Sequence, residues 1–162
     1  SGSEAVTLAA SAAAPGASAE ILKLLETGSG PEFPAAFLVN RFRQFVRESF
    51  EIIPAAAAAL ADGDLAEFGR QVDASQSGAE EGLGNQVPET IHLAHRARAL
   101  GAHAASSFGA GFGGSVWAMV ERDAVEGFGR AWMDDYRREF PAAARRAQYF
   151  RSALGPAARR LD

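Results

Sequence analysis

The chain has 162 residues, 48% of them apolar and 22% charged, which is the composition of one globular domain with a real core and room for a tail. Lys and Arg number 16 and Asp and Glu 20, a net charge of -4, which argues against a nucleic-acid partner held through its phosphates. Cysteine is absent, which excludes disulfides, thiol nucleophiles and cysteine zinc sites, and no apolar run is long enough to cross a bilayer, so a cytoplasmic protein with no membrane partner is expected.

Residues 1–30 differ from the rest. Ser1-Gly2-Ser3 reads as a tag scar or a cut end, and residues 12–18 have the small-residue composition of a linker. Ile21 to Leu25 fits a short helix or an orphaned strand, and Gly28-Ser29-Gly30-Pro31 is strong punctuation. The expectation is a linker or residual segment over 1–30 and a folded domain over 31–162.

From Pro34 the spacing of Phe37, Leu38, Phe42, Phe45, Val46, Phe50 and Ile53 predicts a helix with one wide apolar stripe facing the core. Pro54 should kink or restart it, because proline lacks an N–H and crowds the preceding turn. Asp62-Gly63-Asp64 ends that segment. Asp64 is placed to cap the next helix, with Glu67 completing a capping box, and this helix decays into Gly78, Gly82 and Gly84. Pro88 opens another helix that runs to Gly101.

The period then changes. Ala104–Phe108 and Ser115–Val120 read as strands around the glycine-rich run 109–114. Asp123 should cap a helix carrying Val125, Phe128, Trp132, Met133 and Tyr136 on one face, and Phe140-Pro141 stops it. Arg145 to Ser152 reads as a last strand. This order predicts an α+β fold with a small, mostly antiparallel sheet covered by helices on one face, ferredoxin-like in plan.

The run Gly109-x-Gly111-x-x-Gly114 matches the letters of the dinucleotide fingerprint, but it leads into a strand where that fingerprint requires a helix. No Gly-Lys-Ser/Thr follows, so it is not a P-loop either. Closely spaced glycines fit a hairpin with several positive-φ residues, or a main chain that closely approaches another surface or a phosphate. His92 and His95 are spaced i, i+3 with Glu89 one turn earlier, yet they read better as a half-exposed helix face than as metal ligands. Glu80-Glu81 and Asp134-Asp135 are sequence neighbours that point apart on a helix, and they read as solvated surface.

Phe108-Gly109-Ala110-Gly111-Phe112-Gly113-Gly114-Ser115-Val116-Trp117-Ala118-Met119-Val120 resembles the third, C-terminal motif of the GHMP kinases, and within them the galactokinase branch. Three co-linear features agree: Arg41-Phe42-Arg43 with the stretch Ala57 to Gly69, Ser75-Gln76-Ser77, and Val87-Pro88-Glu89. Phe108 stands where galactokinases carry Thr, Ser115 replaces a Cys, Gln76 replaces a His, and 78–82 depart from the usual pattern.

The resemblance implies the C-terminal domain of an ATP- and Mg-dependent sugar kinase. The catalytic Asp and phosphate loop would lie in an N-terminal kinase domain, so this chain alone is expected to be inactive and to bind no cofactor. It also implies nucleotide-site contributions from the main chain of Gly109, Gly111, Phe112, Gly113 and Gly114. The alternatives are a GHMP kinase for a non-sugar alcohol, or a stand-alone small-ligand regulatory module. Apolar surface left uncovered by the missing domain would favour a homodimer of the fragment.

Overall fold

The computed structural model describes residues 7–28, 30–153 and 155. Two short helices, α1 (Leu8–Ala13) and α2 (Ala17–Thr27), come first. The Thr7 hydroxyl accepts from the Ala10 N–H and caps α1, and Gly16 takes a left-handed conformation before α2. The small-residue stretch is therefore a tight corner between helices. Ile21 and Leu25 of α2 share a shallow apolar depression of about 370 Å³ with Phe42 and Phe45 of the next helix, α3 (Ala35–Arg47).

Between α3 and α4 (Ile53–Asp62) the chain makes one wide π-helical turn over 48–52. The Ile53 N–H reaches back to the Glu48 carbonyl, and Pro54 follows directly, so the residue that lacks an N–H sits at the wide turn and the chain continues as helix through it. The wide turn advances the helix face. Ile52 is buried, whereas Phe37, Phe50 and Ile53, assigned to the core stripe from spacing alone, are 42%, 41% and 56% exposed.

The cap of α5 (Leu65–Ser77) forms as expected: Asp64 Oδ1 accepts from the Glu67 N–H at 2.8 Å. The reciprocal half of the box does not form, because the Glu67 carboxylate is taken by Arg70 and Gln71. Nor does the helix decay at Gly78. A second π-helical stretch continues through 78–83, and Gly78 there lets the Gln44 side-chain amide of α3 lie in the space a Cβ would take.

Helix α6 (Pro88–Ala99) leads to β1 (Ala104–Phe108), which pairs antiparallel with β2 (Ser115–Met119) in the register Ala104↔Met119 to Phe108↔Ser115. Ala97, Ala102, Ala105, Phe128 and Trp132 form the core, with Leu93, Val116 and Ala118 against them. Successive strand residues face opposite ways, and Ala104 and Ala105 are both buried. Both faces of β1 are therefore covered at this end, a correction to the expectation of helices on one face. The fold is α+β, and among the described residues its sheet has two strands.

Helix α7 (Val125–Glu139) buries Phe128, Trp132, Met133 and Tyr136, and Trp132 Nε1 donates to the Leu93 carbonyl of α6 at 2.9 Å. Asp123 does not cap it; the cap position is Ala124, without a side-chain bond. After α8 (Pro141–Ala144), residues 147–153 are irregular, so the strand expected at 145–152 is not there. Tyr149 lies instead in the slot left by Gly129 on α7, its hydroxyl donating to the Val125 carbonyl at 3.3 Å, and Arg151 pairs with Glu126 at 2.8 Å. Side-chain contacts to a helix replace the expected strand ladder.

Two ionic clusters tie the helices together. Arg98 of α6 grips the Asp73 carboxylate of α5 through two nitrogens at 2.8 and 2.9 Å, and it donates to the Ala102 and His103 carbonyls where the chain enters β1. Asp135 of α7 accepts from His92 at 2.8 Å and Arg96 at 2.9 Å, both on α6, and from Arg138 at 2.9 Å.

Burial works against the Asp135 carboxylate, but these hydrogen bonds outweigh it and hold the carboxyl below the usual Asp range. A lowered folded-state pKa gives stability that is complete above the unfolded-chain value and is lost as pH falls through the folded one. Urea midpoints should show no loss from this group between pH 7 and about pH 4 and a decline below that. Asp135→Asn should make the acid limb shallower.

Candidate functional site

The glycine run forms the β1–β2 connection, closed at its base by Phe108 opposite Ser115. Its backbone is left-handed almost throughout: φ is +92° at Gly109, +89° at Gly111, +60° at Phe112, +115° at Gly113 and +101° at Gly114. An L-residue held in this region gives up about 1–2 kcal/mol, so glycine is required by conformation at four of these positions. Phe112 is the exception, a bulky side chain in a region that bulky residues avoid.

Two anchors fix this loop, one at its root and one near its tip. At the root, Gln76 of α5 is only 3% exposed. Its Oε1 accepts from the Ser106 hydroxyl at 2.9 Å and from the Ser107 N–H at 2.9 Å, on the strand just before the glycines. Its Nε2 donates to Glu80 at 2.9 Å, and His95 of α6 meets the same Glu80 oxygen at 3.0 Å. Near the tip, Phe112 N–H donates to the Asn85 carbonyl, and Asn85 Nδ2 donates to the Ala110 carbonyl at 3.2 Å.

The outer surface of the loop is open. A Cβ at Gly109, Gly113 or Gly114 would meet nothing within 4 Å, and the Phe108 and Phe112 rings are 56% and 73% exposed. Of the five residues singled out from sequence, Phe112 has its N–H committed to Asn85, and Gly111 faces inward against that same residue. Gly109, Gly113 and Gly114 present main chain outward. Next to the root, α5 and α6 border a crevice of about 300 Å³ lined by Asp73, Gln76, Ser77, His95 and Arg98.

The histidines do not converge. His92 turns to Asp135 and His95 to Glu80, and among the described residues no group of three carboxylates or histidines is placed to hold a metal. The acidic pairs are not plain surface either, because Glu80 and Asp135 have side chains 16% and 13% exposed inside hydrogen-bond networks.

A family model described as GHMP kinases C terminal matches residues 56–138, from α4 through the glycine connection into α7. The chain belongs to the GHMP kinase family. Among curated proteins it is 45% identical to the galactokinase of Ligilactobacillus salivarius (strain UCC118) over 74 residues, 45% of this chain and 19% of the relative. It is 36% identical to the galactokinase of Roseiflexus sp. (strain RS-1) over 89 residues, 54% of this chain and 22% of the relative. With the galactokinase of Pyrococcus furiosus it shares 30% identity over 109 residues, 67% of this chain and 30% of the relative. The chain thus spans under a third of the length of these relatives.

Sequence reasoning noted Gln76 only as a departure from a family pattern, and it missed Asn85. A buried glutamine within reach of two serines has no periodic signature, and a Gly-Asn pair reads simply as a turn. Gln76→Leu keeps the volume but leaves the Ser107 N–H without its acceptor, while the Ser106 hydroxyl can still turn to the Ser107 carbonyl, and this costs about 1–3 kcal/mol. Urea unfolding should show that loss, and faster exchange of the Ser107 amide should accompany it.

Proposed function

We propose that this chain is the C-terminal part of an ATP-dependent sugar kinase of galactokinase type, whose 109–114 loop forms a wall of the phosphoryl-transfer cleft. The observation that carries the reading is the loop itself. It is a run of left-handed glycines braced from behind by Gln76 and Asn85, with the main chain of Gly109, Gly113 and Gly114 open in front. Similarity to proteins named galactokinase supports the substrate class.

ATP with Mg supplies the phosphoryl group and neutralises charge on it. Phosphoryl transfer depends chiefly on positioning and on preorganised dipoles, and a rigid main-chain concavity offers both without proton chemistry. No atom of the loop has to change protonation state. The catalytic Asp, the phosphate loop and the metal ligands are assigned to an N-terminal kinase domain docked on the loop side, where Phe108 and Phe112 present apolar rings. The ring at 108, where galactokinases carry Thr, favours a second reading in the same family: a kinase with a different alcohol as acceptor.

Coupled assay of ADP release should find no sugar-dependent turnover with the 162-residue chain alone. It should find turnover with galactose or a related sugar when the longer reading frame is expressed. Turnover by the isolated chain would refute the division of labour, and a panel of sugars and non-sugar alcohols on the longer protein assigns the acceptor. Without its partner domain the chain should self-associate through the exposed aromatic surface. Light scattering that gives a clean monomer at high concentration would count against this.

A further inference from the structure

We infer that Asn85 is a positioning residue for the glycine loop, holding its tip in the shape the cleft requires; this rests on the reading of the loop as a cleft wall. Three contacts converge on this one residue. Its main-chain carbonyl accepts the Phe112 N–H, its side-chain amide donates to the Ala110 carbonyl, and it fills the space where a Cβ on Gly111 would sit. Phe112 is the strained residue of the loop, and the bond to Asn85 is what its N–H gains in that conformation.

Asn85 is itself held from the far side. Its Oδ1 accepts from Gln86 Nε2 at 3.0 Å, and Gln86 Oε1 accepts from the Thr90 hydroxyl at 2.9 Å. Thr90 is only 3% exposed, in the first turn of α6, and it also accepts the Val87 N–H. The relay orients the asparagine amide, so that Nδ2 rather than Oδ1 faces the Ala110 carbonyl. The loop tip is thereby referenced to the rigid start of α6.

Asn85→Asp tests this directly. It keeps size and main chain and can still accept from Gln86 Nε2, but it sets an oxygen against the Ala110 carbonyl in place of the Nδ2 donor. In the isolated chain, amide exchange followed by NMR should show the Phe112 N–H exchanging about tenfold faster or more, with Ser107 at the root unchanged. Gly111→Ala, which forces the loop off Asn85, should do the same. In the longer kinase, Asn85→Asp should lower kcat about tenfold or more while KM for the acceptor and the melting temperature stay close to wild type.

Unchanged Phe112 protection in both variants would overturn the inference. A loosened tip with kcat intact would overturn it too, by showing that the shape has no bearing on transfer. If the longer protein phosphorylates nothing, the kinase reading fails, and the exchange experiment still decides whether Asn85 sets the loop.

Discussion

A connection with glycine at four of its six positions has few side chains with which to hold its own shape, so its geometry must be imposed from outside. Here two amides from the α5–α6 segment do this. Gln76 satisfies the donors of β1 just before the loop, and Asn85 takes the strained Phe112 N–H and the Ala110 carbonyl. The entropy that glycines surrender on ordering is large, and a hairpin of two five-residue strands is marginal alone. The helices therefore brace the loop as well as cover the sheet.

The placement of those two amides depends on packing further back. Gln44 of α3 is buried and occupies the hollow at Gly78 and Gly82, which keeps α3 close to the π-helical extension of α5. Arg41 donates to the Leu83 carbonyl at 3.1 Å, and Ser75 donates to Glu48 at 2.8 Å across the same seam. The two π-helical stretches lie where α3 and α5 meet, and each advances the helix face relative to ordinary winding. The second delivers the chain to Gly84 and Asn85 beneath the loop. A Cβ at Gly78 would displace the Gln44 amide, and one at Gly82 would press on the Gln44 Cβ at 3.1 Å.

Much of this order was legible in the sequence because it is written in local rules. Asp64 before an amphipathic run, Pro88 at a first helical turn, and β-branched and aromatic residues around glycines each carry a short-range reason, and each element forms close to where it is expected. What failed was set by distant partners or by helix geometry that departs from regular winding. Residues 145–152 have strand composition, but the slot at Gly129 captures Tyr149 and the segment lies on α7. Ile52 rather than Ile53 is buried because a wide turn changes the phase, which a fixed period of 3.6 does not anticipate. The loop was visible as a glycine pattern, whereas its anchors, 31 residues away from Ser107 in the case of Gln76, were not.

The titratable groups around the loop bear on the kind of chemistry this domain can contribute. Arg98 is engaged by Asp73 and two carbonyls, His95 and Gln76 share Glu80, and His92 and Arg96 share Asp135. Each of these groups is engaged within the fold, where freeing it would break an interhelical tie. What the loop presents outward is different in kind: main chain at Gly113 and Gly114, and rings at Phe108 and Phe112. Backbone dipoles and apolar rings act by shape and fixed orientation, without a proton to give or take. In the proposed kinase, a rigid backbone edge flanked by ionic groups that are engaged in interhelical ties would be suited to placing a reacting group rather than to activating it.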